Sequence, residues 1–132
     1  MTSATGTFEV KLVPEANLAA GEGPALGRMS LTKVWHGDLE ATSSGTMLTA
    51  SSNERNSAAY VAAERVTGAL NGRRGTFALA HMGIMNRGVP SLTITVVPDS
   101  GTGELSGLSG TLRIEIENGR HSYEFEFALP PA

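Results

Sequence analysis

Apolar and polar residues alternate with a period of two along most of the chain, in segments punctuated by glycine. The alternation predicts strands at 6–13, 27–36, 39–50, 57–70, 74–83, 91–97, 104–117 and 121–129. Phe8, Val10 and Leu12 form a one-sided apolar stripe, as do Leu92, Ile94 and Val96. The alanine-rich segment AAYVAAERVTGAL (58–70) could suggest a helix, but its β-branched residues and Gly68 between two turns favour a strand.

The last hairpin fixes its own register. Asn118-Gly119 is the favoured dipeptide of a two-residue turn, in which both positions take positive φ. Folding about it sets Leu112 opposite Phe125, Ile114 opposite Tyr123 and Arg113 opposite Glu124. One face becomes apolar and the other carries an opposite-charge pair, and a slip of one residue would spoil both.

Eight successive strands with mostly short connections predict an all-β domain over 1–132, an eight-stranded antiparallel up-and-down β-barrel. Closure removes the edges that an open sheet would expose. A β-sandwich is the alternative. A barrel of eight strands has an interior just wide enough for packed side chains or one small ligand. In a meander, the connections at 14–26, 51–56, 84–90 and 118–120 share one end, so that end is the expected pocket mouth, with 14–26 as a lid.

Composition narrows the function classes. The chain has 132 residues and no cysteine, which excludes disulfides, thiolate metal sites and cysteine nucleophiles. The net charge of −3 and the scattered basic residues argue against nucleic acid as a partner. No apolar run reaches the length of a membrane span, and MTSATGTFEV has no secretory-signal pattern, so a cytoplasmic protein is expected. Three histidines without HxH or HExxH spacing argue against a metal site, and no cofactor is expected. PDSGTGELSG lacks the lysine of a phosphate loop and reads as turn and bulge, while the absence of GxSxG disfavours a hydrolase.

What chemistry remains lies between residues 60 and 83. A turn at 71–74 places Tyr60, Glu64, Val66, Phe77, Leu79 and His81 on one face, whether its loop has two residues or four. That face carries the bulkier apolar residues and is expected to point inward. Tyr60, Glu64 and His81 are therefore the candidate catalytic residues, a cavity-wall acid/base group in which burial raises the carboxyl pKa and the imidazole restores ionisation. Phe77, Leu79, His121 and Tyr123 are the candidate ligand-binding residues, for a small apolar molecule. The competing reading is a polar network that satisfies itself inside the barrel and meets no substrate. Lys33 and Trp35, two apart, are expected on the outer surface, the lysine stem lying along the indole, with an inward Lys33 paired with Glu64 as the alternative. His36 adjoins a turn and is expected to be structural.

LTKVWHGDLEA (31–41), YVAAERVTGALNGRRGTFALAH (60–81) and VVPDSGTGELSGLSGTL (96–112) resemble the allene oxide cyclase-like barrels, above all a bacterial branch that is a domain of unknown function. The resemblance implies an eight-stranded barrel with a central cavity. It also implies a homo-oligomer, with a dimer as the expected state, and a cofactor-independent isomerase or cyclase as the expected activity. Glu9 matches a functional first-strand glutamate of the plant enzymes, yet alternation with Phe8 and Val10 turns it outward. The alternative expectation is a non-catalytic binding or structural module with a filled interior.

Overall fold

The computed structural model describes residues 1–19, 21–54 and 56–131. Its strands are β1 (Thr2–Ala19), β2 (Ala25–Gly37), β3 (Leu39–Ser51), β4 (Ala58–Leu70), β5 (Arg73–Asn86), β6 (Val89–Val96), β7 (Ser109–Glu117) and β8 (Arg120–Ala128). Each pairs antiparallel with the next, and β8 returns to β1, closing an eight-stranded barrel. The sandwich alternative is thereby set aside. No helix among the described residues is long and apolar enough to cross a membrane.

The turns explain the registers. Asn118 and Gly119 both have positive φ, at 53° and 76°, and the strands they join pair Leu112 with Phe125, Ile114 with Tyr123 and Arg113 with Glu124. Asn71 and Gly72 do the same, at 49° and 82°, so β4 and β5 take the two-residue register with Ala62 opposite His81 and Glu64 opposite Leu79.

Two segments depart from the expected pattern. The stretch expected as a long open loop at 14–26 is largely strand: β1 and β2 stay paired as far as Ala19 and Leu26. Register shifts between Pro14 and Ala16, and again between Asn17 and Ala19, let the ladder absorb the proline rather than stop at it. Conversely, residues 104–108, expected to begin strand 7, do not pair. Gly103–Leu105 forms a 3-10 turn, and Leu105 and Leu108 turn inward and are buried.

Those leucines close one end of the barrel. Behind them Trp35, Leu39, Leu70, Phe77 and Phe125 are almost inaccessible to solvent. The Phe77 and Phe125 rings stack with centroids 6.0 Å apart. Each such side chain contributes about 1.5–3 kcal/mol by leaving water, so this half of the barrel is the stable body of the fold. The opposite half is built differently. Among the described residues, β6 and β7 are paired only at Thr95 and Thr111.

Candidate functional site

Alternation delivers four polar side chains to one level of the interior. On β2, Leu31, Lys33 and Trp35 are all buried while Thr32 and Val34 are exposed. Ser43 on β3, Glu64 on β4 and His81 on β5 complete the set, all sealed from solvent. Lys33 is only 6 % exposed, so its expected place on the outer surface, and that of Trp35, is corrected. Parity with Leu31 decides the direction, and a buried carboxylate makes the inward ammonium tolerable. Glu64 Oε1 accepts from Lys33 Nζ at 2.9 Å.

Glu64 is the hub. The same Oε1 lies 2.7 Å from His81 Nε2, and Oε2 accepts from Ser43 Oγ at 2.7 Å. Ser43 Oγ in turn accepts from Trp35 Nε1 at 3.0 Å. The Lys33 ammonium lies 5.2 Å and 5.0 Å from the Phe8 and Trp35 ring centroids, distances at which a cation is attracted to aromatic faces. Burial pushes the Glu64 carboxyl pKa up, but the His81 hydrogen bond and then the Lys33 charge outweigh it and hold the group at about 2. Glu64 is therefore a carboxylate at neutral pH. The imidazole restores ionisation against burial, and Lys33 adds to its effect.

A carboxylate only accepts hydrogen bonds, so His81 Nε2 carries the hydrogen. In the neutral imidazole that leaves the Nδ1 lone pair free, and Tyr60 OH lies 3.4 Å from it. Burial first, and the Glu64 charge second, raise the Tyr60 pKa, which keeps the phenol protonated. Its ring passes over Gly83, directly opposite on β5; a Cβ there would sit 2.3 Å from the Tyr60 ring carbon Cε1. Tyr60, His81 and Glu64 thus stand in the order hydroxyl, imidazole, carboxylate, an arrangement in which the acid fixes the tautomer of the base.

Above this group the open half of the barrel encloses a cavity of about 540 Å3. Its walls are mainly apolar, with Phe8, Leu12, Leu31, Met47 and Leu92 among them. Lys33, Tyr60, His81 and His121 also reach it, the His121 ring 5.2 Å from that of Phe8. Glu64 lies behind that wall. Phe77 and Leu79 belong to the closed core instead, and Tyr123, also of that core, borders only the larger concavity described below. The Tyr123 hydroxyl accepts from Leu39 N and donates to the His36 carbonyl, each at 3.0 Å, tying strands together. Glu9 is exposed and 3.7 Å from His36. Among the described residues no three His, Asp or Glu side chains are arranged to hold a metal ion. A larger concavity, about 1260 Å3, lies mainly over the polar outer side of β1, β7 and β8 and shares Leu92 and Ile114 with the apolar cavity.

Ser43 and Gly83 are the site residues that sequence reasoning did not place, and Lys33 was expected outside, with its inward pairing to Glu64 only the alternative. The signal for Lys33 was present, since Leu31 and Trp35 share its parity.

Residues 4–127 match the model of a family described as protein of unknown function (DUF3224). A solved crystal structure of a protein with unknown function from that family, from Shewanella oneidensis MR-1, is 53 % identical. The match covers 99 % of each chain with a TM-score of 0.93. No curated protein matches the chain.

Proposed function

The chain belongs to the DUF3224 family, and from the geometry of its barrel we propose that it binds a small, largely apolar molecule bearing a carbonyl or hydroxyl oxygen and moves a proton on it, as a cofactor-independent isomerase or cyclase. The observation that carries this reading is His81. One nitrogen is held at 2.7 Å by a buried carboxylate, and the other faces Tyr60 at the floor of an apolar cavity.

The chemistry needs nothing beyond these side chains. His81 Nδ1 takes a proton from the carbon next to the ligand carbonyl, and the electron pair of that C–H bond moves onto oxygen. Tyr60 OH donates a hydrogen bond to the oxygen, with the Lys33 ammonium beside it. Glu64 stabilises the imidazolium that forms, and where a C=C adjoins the deprotonated carbon, return of the proton to the far carbon of that double bond, with the double bond moving into conjugation with the carbonyl, completes an isomerisation. General acid–base participation of this kind is worth about 10²–10⁴-fold. Exclusion of water strengthens every charge interaction in the site. The resemblance to allene oxide cyclase-like barrels supports the same class of reaction. A purely structural network would account for Glu64, but it gives no reason for a cavity over His81.

The test uses 6-propionyl-2-(dimethylamino)naphthalene, an apolar fluorescent ketone of suitable size. Its emission reports binding, and deuterium exchange next to its carbonyl, followed by NMR in D2O, reports proton transfer. Saturable binding with protein-dependent exchange, lost in His81→Gln, is the expected result. Binding without exchange reduces the protein to a binding module, and no binding removes the reading.

A further inference from the structure

The cavity has a side as well as a mouth. β6 is paired to β5 along its whole length and β7 to β8 along its own, yet Thr95 and Thr111 are the one pair between them among the described residues. Extending that antiparallel register sets Leu92 opposite Ile114. Both share the inward parity of buried Ile94 and Leu112, yet Leu92 is 44 % exposed and, two residues beyond Ile114, Ile116 is 68 % exposed. Beside them, among the described residues, no β6–β7 pair beyond Thr95 and Thr111 closes the wall. Leu92 and Ile114 line both the apolar cavity and the larger outer concavity. The two spaces therefore meet at the seam.

They differ in chemistry. The inner space is walled by aliphatic and aromatic side chains above Lys33, Tyr60 and His81. The charged groups of the outer one are Arg113 and Arg120 with Glu115, Glu117 and Glu124, and Thr7 and Ser122 add hydroxyls. Arg113 is already paired with Glu124, and three carboxylates against two guanidinium groups leave no positive excess to select an anion. Hydroxyls, carboxylates and guanidinium groups side by side instead offer donors and acceptors to a ligand that has many of both.

We propose that the β6–β7 seam joins these spaces into one bipartite site for an amphiphile, whose apolar body lies in the barrel and whose uncharged, hydroxyl-rich head passes through the seam onto the outer concavity. The proposal rests on the cavity reading above and adds the head-group class. It also explains why the ladder is left open at the one place where both spaces touch.

The experiment compares 1-octanol with n-octyl-β-D-glucoside, below its micelle concentration, as competitors of the fluorescent ketone. Both carry the same chain, so the difference reads the outer concavity. The glucoside is expected to bind at least about tenfold more tightly, the gain from a few neutral hydrogen bonds. Thr93, exposed on β6, lines neither space, so Thr93→Trp covers the seam without changing either wall. The glucoside advantage should vanish in this variant, with octanol affinity unchanged. Equal affinities for the two probes in the wild type, or an advantage that survives Thr93→Trp, overturn the proposal while leaving the cavity intact. Failure of octanol to compete removes the cavity reading and this one together.

Discussion

Lys33 Nζ and Glu64 Oε1 are 2.9 Å apart with both side chains sealed inside the barrel. Neither charge could be buried alone, since an isolated ion in a low-dielectric interior costs several kcal/mol. The pair explains why a lysine can occupy an inward position between Leu31 and Trp35. It also leaves the inside of the barrel with an organised charge rather than a plain apolar fill.

Removing one partner is therefore expected to cost more than removing both. Lys33→Met and Glu64→Gln should each lose about 3–5 kcal/mol of unfolding free energy, as broken buried pairs do. The double variant should fall well short of their sum, because contacting residues are not additive. Urea denaturation of the four proteins checks it. Additive losses would show that the two charges do not depend on each other.

Acid sensitivity follows from the same carboxylate. Its pKa is about 2 in the folded protein against 4.5 unperturbed. A depressed folded value means that the unfolded chain takes up the proton first as pH falls. The stabilisation is thus complete above about pH 4.5 and is lost progressively down to about pH 2. At ~1.4 kcal/mol for each pH unit of that gap, about 3 kcal/mol is at stake. Glu64→Gln should be less stable at neutral pH and should lack this part of the acid slope in urea midpoints measured between pH 5 and 2. An unchanged slope would mean that another group carries it.

The fold was legible because its rules are local. Alternation, the Asn-Gly turns at 71–72 and 118–119 and the apolar faces they create specify strands, order and register together. The gathering of Tyr60, Glu64 and His81 followed from parity alone. Lys33 was misplaced because a statistical habit, that lysines lie outside, outweighed the parity of Leu31 and Trp35. Ser43 carries no signal until β3 is set beside β4, since its role depends on a neighbour 21 residues away. The division into a packed end and an open end was also out of reach. It depends on Leu105 and Leu108 turning in to plug one mouth and on β6 and β7 parting at the other, and neither event has a period.

The register itself is open to test. Leu112 and Phe125 are buried partners across β7 and β8, while Thr111 faces outward. Leu112→Ala and Phe125→Ala should each cost about 2–5 kcal/mol, and Thr111→Ala should stay within about 0.5 kcal/mol. Thermal or urea unfolding gives all three, and comparable losses at inward and outward positions would contradict the pairing.

Gly83 lines the cavity beside His81 and controls the position of the Tyr60 ring. An aromatic ring laid across a strand glycine covers backbone that has no side chain of its own. Since a Cβ at Gly83 would fall 2.3 Å from the Tyr60 ring, Gly83→Ala should push the ring aside. Overpacking of this kind costs about 1–3 kcal/mol. Proton exchange on the ketone should fall in this variant with the fold retained by circular dichroism. Full exchange activity in Gly83→Ala would show that the position of the ring is immaterial.

Tyr60→Phe separates the role of the hydroxyl from that of the ring. The ring keeps its place over Gly83, and what disappears is one hydroxyl, 3.4 Å from His81 Nδ1. At that length the hydrogen bond is weak, so stability should change by less than about 1 kcal/mol. Proton transfer should respond far more strongly. If the phenol supports the charge that develops on a ligand oxygen, exchange should drop by about 10²-fold or more, the usual cost of losing such a donor. Affinity for the ketone should weaken much less, because the apolar walls do most of the binding. Turnover and affinity therefore part company in this variant, whereas a structural tyrosine would move both slightly and stability with them. A Tyr60→Phe protein that exchanges the ketone protons at the wild-type rate would leave His81 without an acid partner and take Tyr60 out of the mechanism.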